Sequence, residues 1–381
     1  MIKISNNKNC CGCSACASVC PKSSISMKRD EEGFLYPIVD KNTCIDCHLC
    51  EKVCPFLNVR KEDKRKSHVF AAISKNENVR LNSSSGGVFS ELAKIVIGKG
   101  GCVYGASFTD GWNVSHICIE NESDISLLRR SKYVQSIIGN TYKEAKKQLK
   151  KGRLVLFSGT SCQIAGLKYF LRKDYENLIT VEILCHGVSS PKVWNLYMKK
   201  YIGIQNYKIS NIDSISFRDK VKGLTEYKVS INMKDGVSLS HFFYEDAYMN
   251  GFLSNLTLRP SCYSCKAKNG SSNSDIVLGD LWNNYQQMPY NNSQGTNVVL
   301  AKTEKGINLL KMCELMIADI GNKGIDYYKN SGFQKKQFEN PYRRKFFKEF
   351  NDENVIDLLK KYSKIPLGWR MIRRIKRLLK I

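Results

Sequence analysis

The chain has 381 residues, a formal net charge of +25 and an ordinary apolar content of 42%. No apolar run approaches the roughly 18–20 residues of a membrane span, and the length demands a sizeable core beyond any small cysteine-rich module. The basic balance asks for an acidic partner. Nucleic acid is excluded, because no helix-turn-helix, zinc-finger or aromatic RNA-binding pattern accompanies the charge; an acidic protein, an anionic cofactor or an anionic membrane surface fits better.

In chain order, the first feature is a repeat. Cys10, Cys13, Cys16 and Cys20 form C-x2-C-x2-C-x3-C closed by Pro21, and Cys44, Cys47, Cys50 and Cys54 repeat the spacing, closed by Pro55. This is the bacterial two-cluster ferredoxin run, in which three cysteines hold one iron–sulfur cube and the fourth reaches the other. It predicts two 4Fe–4S clusters within residues 1–60, one on Cys10, Cys13, Cys16 and Cys54, the other on Cys44, Cys47, Cys50 and Cys20. A zinc ribbon uses only four ligands and has no x3-C-P tail. A disulfide framework would want a secretory signal, and residues 1–9 are short and polar. Cys11 reads as a packing residue in the tight turn. Clusters need reduced thiolates, which points to the cytoplasm.

A charged stretch at 61–66 reads as a solvated linker. Beyond it, strands at 69–73 and 101–108 flank a helix over 86–97. A strand at 153–157 feeds a helix over 163–171, and one at 179–184 feeds a helix over 191–201. A hairpin spans 227–243, turning at Lys234-Asp235-Gly236, where Asp-Gly is a favoured turn. Further strands fall at 275–278 and 297–301. Such strand–loop–helix units predict an α/β body after the ferredoxin-like module, with an overall class of α+β or α/β. Residues 68–150 and 151–330 read as the two parts of that body, and 331–381 as a basic helical tail.

Two segments of the body carry chemistry. The run Asn82-Ser83-Ser84-Ser85-Gly86-Gly87-Val88 sits between a strand and a helix, where small residues let backbone N–H groups approach a phosphate; plain loops and helix caps share this composition. A second set of cysteines is dispersed: Cys162 in Gly-Thr-Ser-Cys-Gln, Cys185 in Leu-Cys-His-Gly, and Cys262 and Cys265 in Arg-Pro-Ser-Cys-Tyr-Ser-Cys. Two of them follow strands, at the sheet end where α/β proteins gather ligands. Four such thiolates suit a third cube, with zinc or simple burial as the alternatives. Cys102, Cys118 and Cys313 lie in apolar patterns and read as core. His186 reads as structural, with a proton donor or cluster neighbour as the alternative.

Taken together, the ferredoxin module, Ser-Ser-Ser-Gly-Gly, Lys132-Tyr133-Val134-Gln135-Ser136, Gly-Thr-Ser-Cys-Gln, Cys-His-Gly, Arg-Pro-x-Cys-x-x-Cys, and Ser274-Asp275-Ile276 through Gly279-Asp280-Leu281-Trp282 occur in one order. That order resembles the beta subunit family of coenzyme F-420 hydrogenases and dehydrogenases, from Cys10 to about Gly306. Ser161 departs from the usual proline. The resemblance implies an oxidoreductase holding FAD and cubane clusters, which passes electrons to or from a two-electron organic compound. Ser84, Ser85, Gly86 and Gly87 would cradle the flavin phosphates. Lys132, Gln135 and Ser136 would lie near its ring, with Asp280 and Asn297 at its rim, and Cys162, Cys185, Cys262 and Cys265 would bind the additional cluster. The lysine-rich character is similar to members found in surface-polysaccharide gene sets. The expected partner is a redox protein such as ferredoxin or another oxidoreductase subunit. An electron-transfer subunit serving a separate catalytic protein is the alternative function, and a membrane-associated biosynthetic partner with structural clusters is a third.

At the C-terminus, Leu367, Met371, Ile372, Ile375, Leu378 and Leu379 fall on one side of a helical wheel. Arg370, Arg373, Arg374, Lys376, Arg377 and Lys380 fall on the other. Such a helix suits an anionic membrane surface, or equally a packed helix with a solvated basic face.

Overall fold

The computed structural model describes residues 1–59, 67–220, 223–224, 226–268, 270–281, 288–290, 293–330 and 336–364. The linker at 61–66, Trp282 and the amphipathic segment from Pro366 onward lie outside the described residues.

The cysteine repeat is also a backbone repeat. Gly12 and Ser14 in the first run, and Asp46 and His48 in the second, occupy matching positions, and all four adopt left-handed φ between 48° and 69°. These kinks turn the chain around each set of sulfurs before the short helices Ala15–Val19 and Leu49–Lys52 begin. Between the runs, β1 (Ile25–Arg29) and β2 (Leu35–Val39) form an antiparallel hairpin, pairing Ile25 with Val39 and Arg29 with Leu35.

The body contains β3 (His68–Ser74), β4 (Cys102–Thr109), β5 (Asn113–Ile119), β6 (Val155–Thr160) and β7 (Leu178–Ile183). After these come β8 (Ile212–Asp219), β9 (Lys228–Met233), β10 (Ser238–Phe242), β11 (Ile276–Asp280), β12 (Asn297–Ala301) and β13 (Leu315–Asp319). Among the described residues, eight of them form one sheet in the order β13-β3-β12-β11-β7-β6-β4-β5. The middle run β11-β7-β6-β4 is parallel, and the pairs toward both edges are antiparallel. The sheet is therefore mixed. Its central strands read as near-continuous apolar runs because both faces are covered: Val155, Leu156, Phe157, Val181, Ile276 and Val277 have essentially no exposed surface. Strands from 68–150 and 151–330 interleave in this one sheet.

A second layer packs around β8, β9 and β10, which form their own antiparallel sheet. Its core is aromatic, with Trp194 on the helix Pro191–Ile204 against Phe217 and Tyr248. The segment read as a tail divides here. Helices Arg343–Glu349 and Val355–Tyr362 bury Phe346, Val355, Leu359 and Tyr362 in this same core. Among the described residues, no helix is long and apolar enough to cross a membrane.

Candidate functional site

Sheet direction gathers the site. Cys162 follows β6, Cys185 follows β7, and Asp280 ends β11. Asn297 begins the antiparallel β12 directly opposite Asp280, and the Ser-Gly run follows β3. Ser136 reaches His116, midway along β5, whose Nε2 lies 3.0 Å from Ser158 O near the end of β6. All of these lie at one end of the large sheet, the carboxyl end of its parallel strands, where open α/β sheets bind ligands.

The N-terminal cluster sites differ in exposure. Cys20, Cys44, Cys47 and Cys50 line one pocket open to solvent, together with Met1, Ile45, His48 and others. Cys47 is exposed there. Backbone N–H groups already point at the sulfurs, Ile2 to Cys50 Sγ at 3.3 Å and Ser24 to Cys20 Sγ at 3.3 Å. Four thiols around one cavity, with amide donors aimed at sulfur, fit a cube. Cys10, Cys13, Cys16 and Cys54 form the inner set. Burial, with Cys10 and Cys54 close by, pushes the Cys16 thiol up to about 12. Four crowded thiolates need the positive charge that iron would supply.

That inner set sits against the body. A Cβ on Gly166, in the helix Ser161–Leu171, would lie 2.9 Å from Cys13 Cβ, so only glycine allows this approach. Arg259 is the main joint. Fully buried, it donates from Nε to Cys10 O at 2.8 Å, from NH2 to Leu35 O at 2.9 Å and from NH1 to Gln135 Oε1 at 3.0 Å. Its guanidinium stacks over Tyr36, 4.3 Å from the ring centre. Arg343 adds a bidentate pair to Glu32, with NH1 to Oε1 at 2.8 Å.

The dispersed cysteines converge next to this joint. Cys162, Cys185, Cys262 and Cys265 lie near enough to raise one another electrostatically, with burial the leading cause for the last three. Cys262 is pushed up to about 12 and Cys265 to about 11. Cys162 is raised first by hydrogen bonding with Cys11, and Cys11 in turn contacts Cys13. Cys11 therefore stands between the inner ferredoxin set and the second set. A zinc ion bound at about 2.3 Å would draw four thiolates to about 3.8 Å of one another. Among the described residues, Cys102, Cys118 and Glu120 are the group of three or more such ligands lying within 4.8 Å. The four converging cysteines do not form such a group. His186 is half-buried beside them, its Nε2 2.7 Å from Asn255 Oδ1, and desolvation lowers its pKa to about 4. Ser161, the departure from proline, begins its helix and donates to the buried Glu182 at 2.5 Å.

The Ser-Gly run is built as a close-approach loop. Gly87 has φ of +90° and caps the eleven-residue helix Val88–Gly98. A Cβ on Gly86 would stand 2.9 Å from the Asn297 amide nitrogen. Asn297 ties the helix start to the sheet, accepting from Val88 N–H at 3.3 Å and donating to Gly279 O at 3.1 Å. Ser85 donates to Thr296 O at 2.8 Å, and Ser84 accepts from Ser131 N–H at 2.7 Å.

Sequence reasoning missed the cations around this loop. Lys220 donates to Arg80 O, Ser85 O and Gln294 O at 2.7–2.9 Å. Arg80 donates to Gly295 O at 2.9 and 3.0 Å, and Arg130 to Asn82 Oδ1 at 3.0 Å. Arg218 pairs with Asp280 at 2.7 Å; burial opposes its charge and Asp280 more than offsets that. Burial lowers both Lys220 and Lys132 to about 7. These cations near one helix start outnumber the carboxylates beside them, Asp280 and the first-turn Glu91 that Ser74 already engages, and fit an anionic group such as a diphosphate.

The residues expected near a flavin ring divide. Lys132 turns its ammonium back onto the carbonyls of Arg129 at 2.6 Å and Leu127 at 3.0 Å. Gln135 donates to Cys11 O at 3.0 Å and accepts from Arg259, which places it at the joint beside the clusters. Ser136 is hydrogen-bonded to His116, whose burial lowers its pKa to about 4.

Residues 152–318 match the family model for the C terminus of the coenzyme F420 hydrogenase/dehydrogenase beta subunit, and residues 9–58 match a 4Fe-4S dicluster domain. No curated protein matches the chain in sequence. Among solved structures, it is similar to a chain of the F420-reducing nickel–iron hydrogenase complex from Methanosarcina barkeri. The identity there is 14%, the TM-score 0.46, and the match covers 79% of this chain and 93% of the other.

Proposed function

For a chain whose residues 152–318 match the C terminus of the coenzyme F420 hydrogenase/dehydrogenase beta subunit, we propose membership of that family and the role of an iron–sulfur flavoprotein oxidoreductase. It relays electrons between its ferredoxin-type clusters and FAD, and so reduces or oxidises a two-electron organic substrate. The dicluster domain makes it an iron–sulfur protein; the flavin, the third cluster and the substrate class are the proposal. Its lysine-rich character suggests a setting in surface-polysaccharide biosynthesis.

The observation that carries this reading is the run of contacts from the outer cysteine cavity inward. The inner set follows, then Cys11 and Arg259, then the second set of cysteines. The cation-ringed loop lies at the same sheet end. Cys162, Cys185, Cys262 and Cys265 would hold a third cube. Ser84, Ser85, Gly86 and Gly87 would meet the flavin phosphates, backed by Arg80, Arg130 and Lys220, with Asp280 and Asn297 at the rim. Clusters carry electrons singly, whereas a flavin collects two and can deliver a hydride equivalent. Arg259 and Gln135 position the inner set against the body, and the buried loop keeps water from the cofactor phosphates.

Protein purified without oxygen should carry FAD, and reduced ferredoxin should bleach its flavin spectrum. Iron-replete protein that contains no flavin and binds none on titration would overturn the reading. The exposed Cys47, beside an Ile45 that is 57% exposed, favours docking of a redox partner at the outer cavity. A flavin that reoxidises only with a protein partner would point to the second reading, an electron-transfer subunit for a separate catalyst.

A further inference from the structure

Metal-capable side chains also meet at the opposite end of the large sheet. Cys102 opens β4, while Cys118 lies near the end of β5 and Glu120 just follows it. Tyr104 pairs with Cys118 across the two strands, so Cys102 sits diagonal to Cys118, and all three ligand residues share one face. Their ligand atoms all lie within 4.8 Å of one another. Cys102 is wholly buried, Cys118 half-buried and Glu120 exposed, so the group opens to solvent at one side. The two thiols are in hydrogen-bonding contact, and the Tyr104 hydroxyl reaches Cys118.

A disulfide and a metal ion are competing uses for such a pair. A disulfide needs Cβ atoms about 3.5–4.5 Å apart, whereas diagonal positions of an antiparallel pair stand about 7 Å apart. A tetrahedral zinc ion holds its sulfurs about 3.8 Å apart, which the present spacing reaches by small side-chain rotations. A cube is excluded by the donor set, since two thiols are too few for its corners. The third donor is already oriented: Arg153 NH1 donates to Glu120 Oε1 at 2.7 Å and leaves the second carboxylate oxygen available. Arg153 is itself fixed by Gly100 O at 3.1 Å and Gln148 Oε1 at 3.2 Å. Ligating carboxylates are commonly held by such outer partners.

We propose that Cys102, Cys118 and Glu120 form a zinc site, with water as the fourth ligand, separate from every iron–sulfur site of the chain. It pins the edge strand β5 to β4, the same strand that carries His116 beside Ser136 at its middle.

The test uses holoprotein purified without oxygen, metal analysis, and titration with zinc ions against a chromophoric chelator. About one chelator-competing zinc per chain is expected. Cys102→Ala should abolish it, and the surface variant Glu120→Gln, which leaves the core intact, should weaken it at least tenfold, with iron and flavin unchanged in both. The proposal is overturned if wild-type protein binds no zinc. It is equally overturned if both variants bind zinc at full affinity, or if zinc disappears with Cys265→Ser but not with Glu120→Gln.

Discussion

The outer and inner ferredoxin sets share one sequence pattern and one backbone pattern, yet they sit in opposite environments. Around Cys20, Cys44, Cys47 and Cys50 the wall is thin: Cys47 is exposed and the N-terminus lies alongside. Around Cys10, Cys13, Cys16 and Cys54 the wall is the body itself, through Gly166, Gln135 and Arg259. On the proposed function, identical spacing serves two jobs, exchange with the outside and delivery to the inside. Local sequence makes the cluster sites, and the docking of the body decides which one stays open to solvent.

The sharpest way to break this asymmetry is Arg259→Met. It leaves Cys10 O, Leu35 O and Gln135 Oε1 without their charged donor in a buried site, at a cost of about 3 kcal/mol or more. The expected result is a lower denaturation midpoint and an altered electron paramagnetic resonance spectrum for the inner cluster, with the outer cluster unchanged. Equal perturbation of both spectra would contradict the division.

A smaller effect probes the body's side of the comparison. Burial holds Lys220 near pKa 7, and an anion bound at the loop favours its charged form. Binding then takes up a proton above pH 7, so affinity for FAD should fall as pH rises from about 7, by at most about tenfold per unit. Lys220→Met should flatten the fall in a titration followed by flavin fluorescence; an unchanged slope would place the anion elsewhere.

The outer and inner sets were legible because their ligands are neighbours in the chain, and spacing alone carries the chemistry. Strand ends also pointed to Cys162 and Cys185, since a loop after a parallel strand has a predictable address. The cations around the Ser-Gly loop were not legible. Arg80, Arg130, Arg218 and Lys220 are four among 60 lysines and arginines, and only the fold distinguishes them from solvated charge. Arg259 stood inside a recognised motif, but its three acceptors come from residues far away in sequence. Strands β5 and β8 escaped notice because polar residues interrupt their apolar positions, as Ser115 and His116 do in β5 and Ser214 and Ser216 in β8. The helix Val355–Tyr362 looked like basic tail because lysines surround its buried stripe of Val355, Leu359 and Tyr362.

The central claim is that the inner ferredoxin set hands on to a third cluster held by Cys162, Cys185, Cys262 and Cys265. Iron counting on Cys262→Ala, purified without oxygen beside the parent protein, tests it most directly. The account predicts about twelve irons per chain in the parent, three cubes of four, and about eight in the variant; full iron in the variant would contradict it.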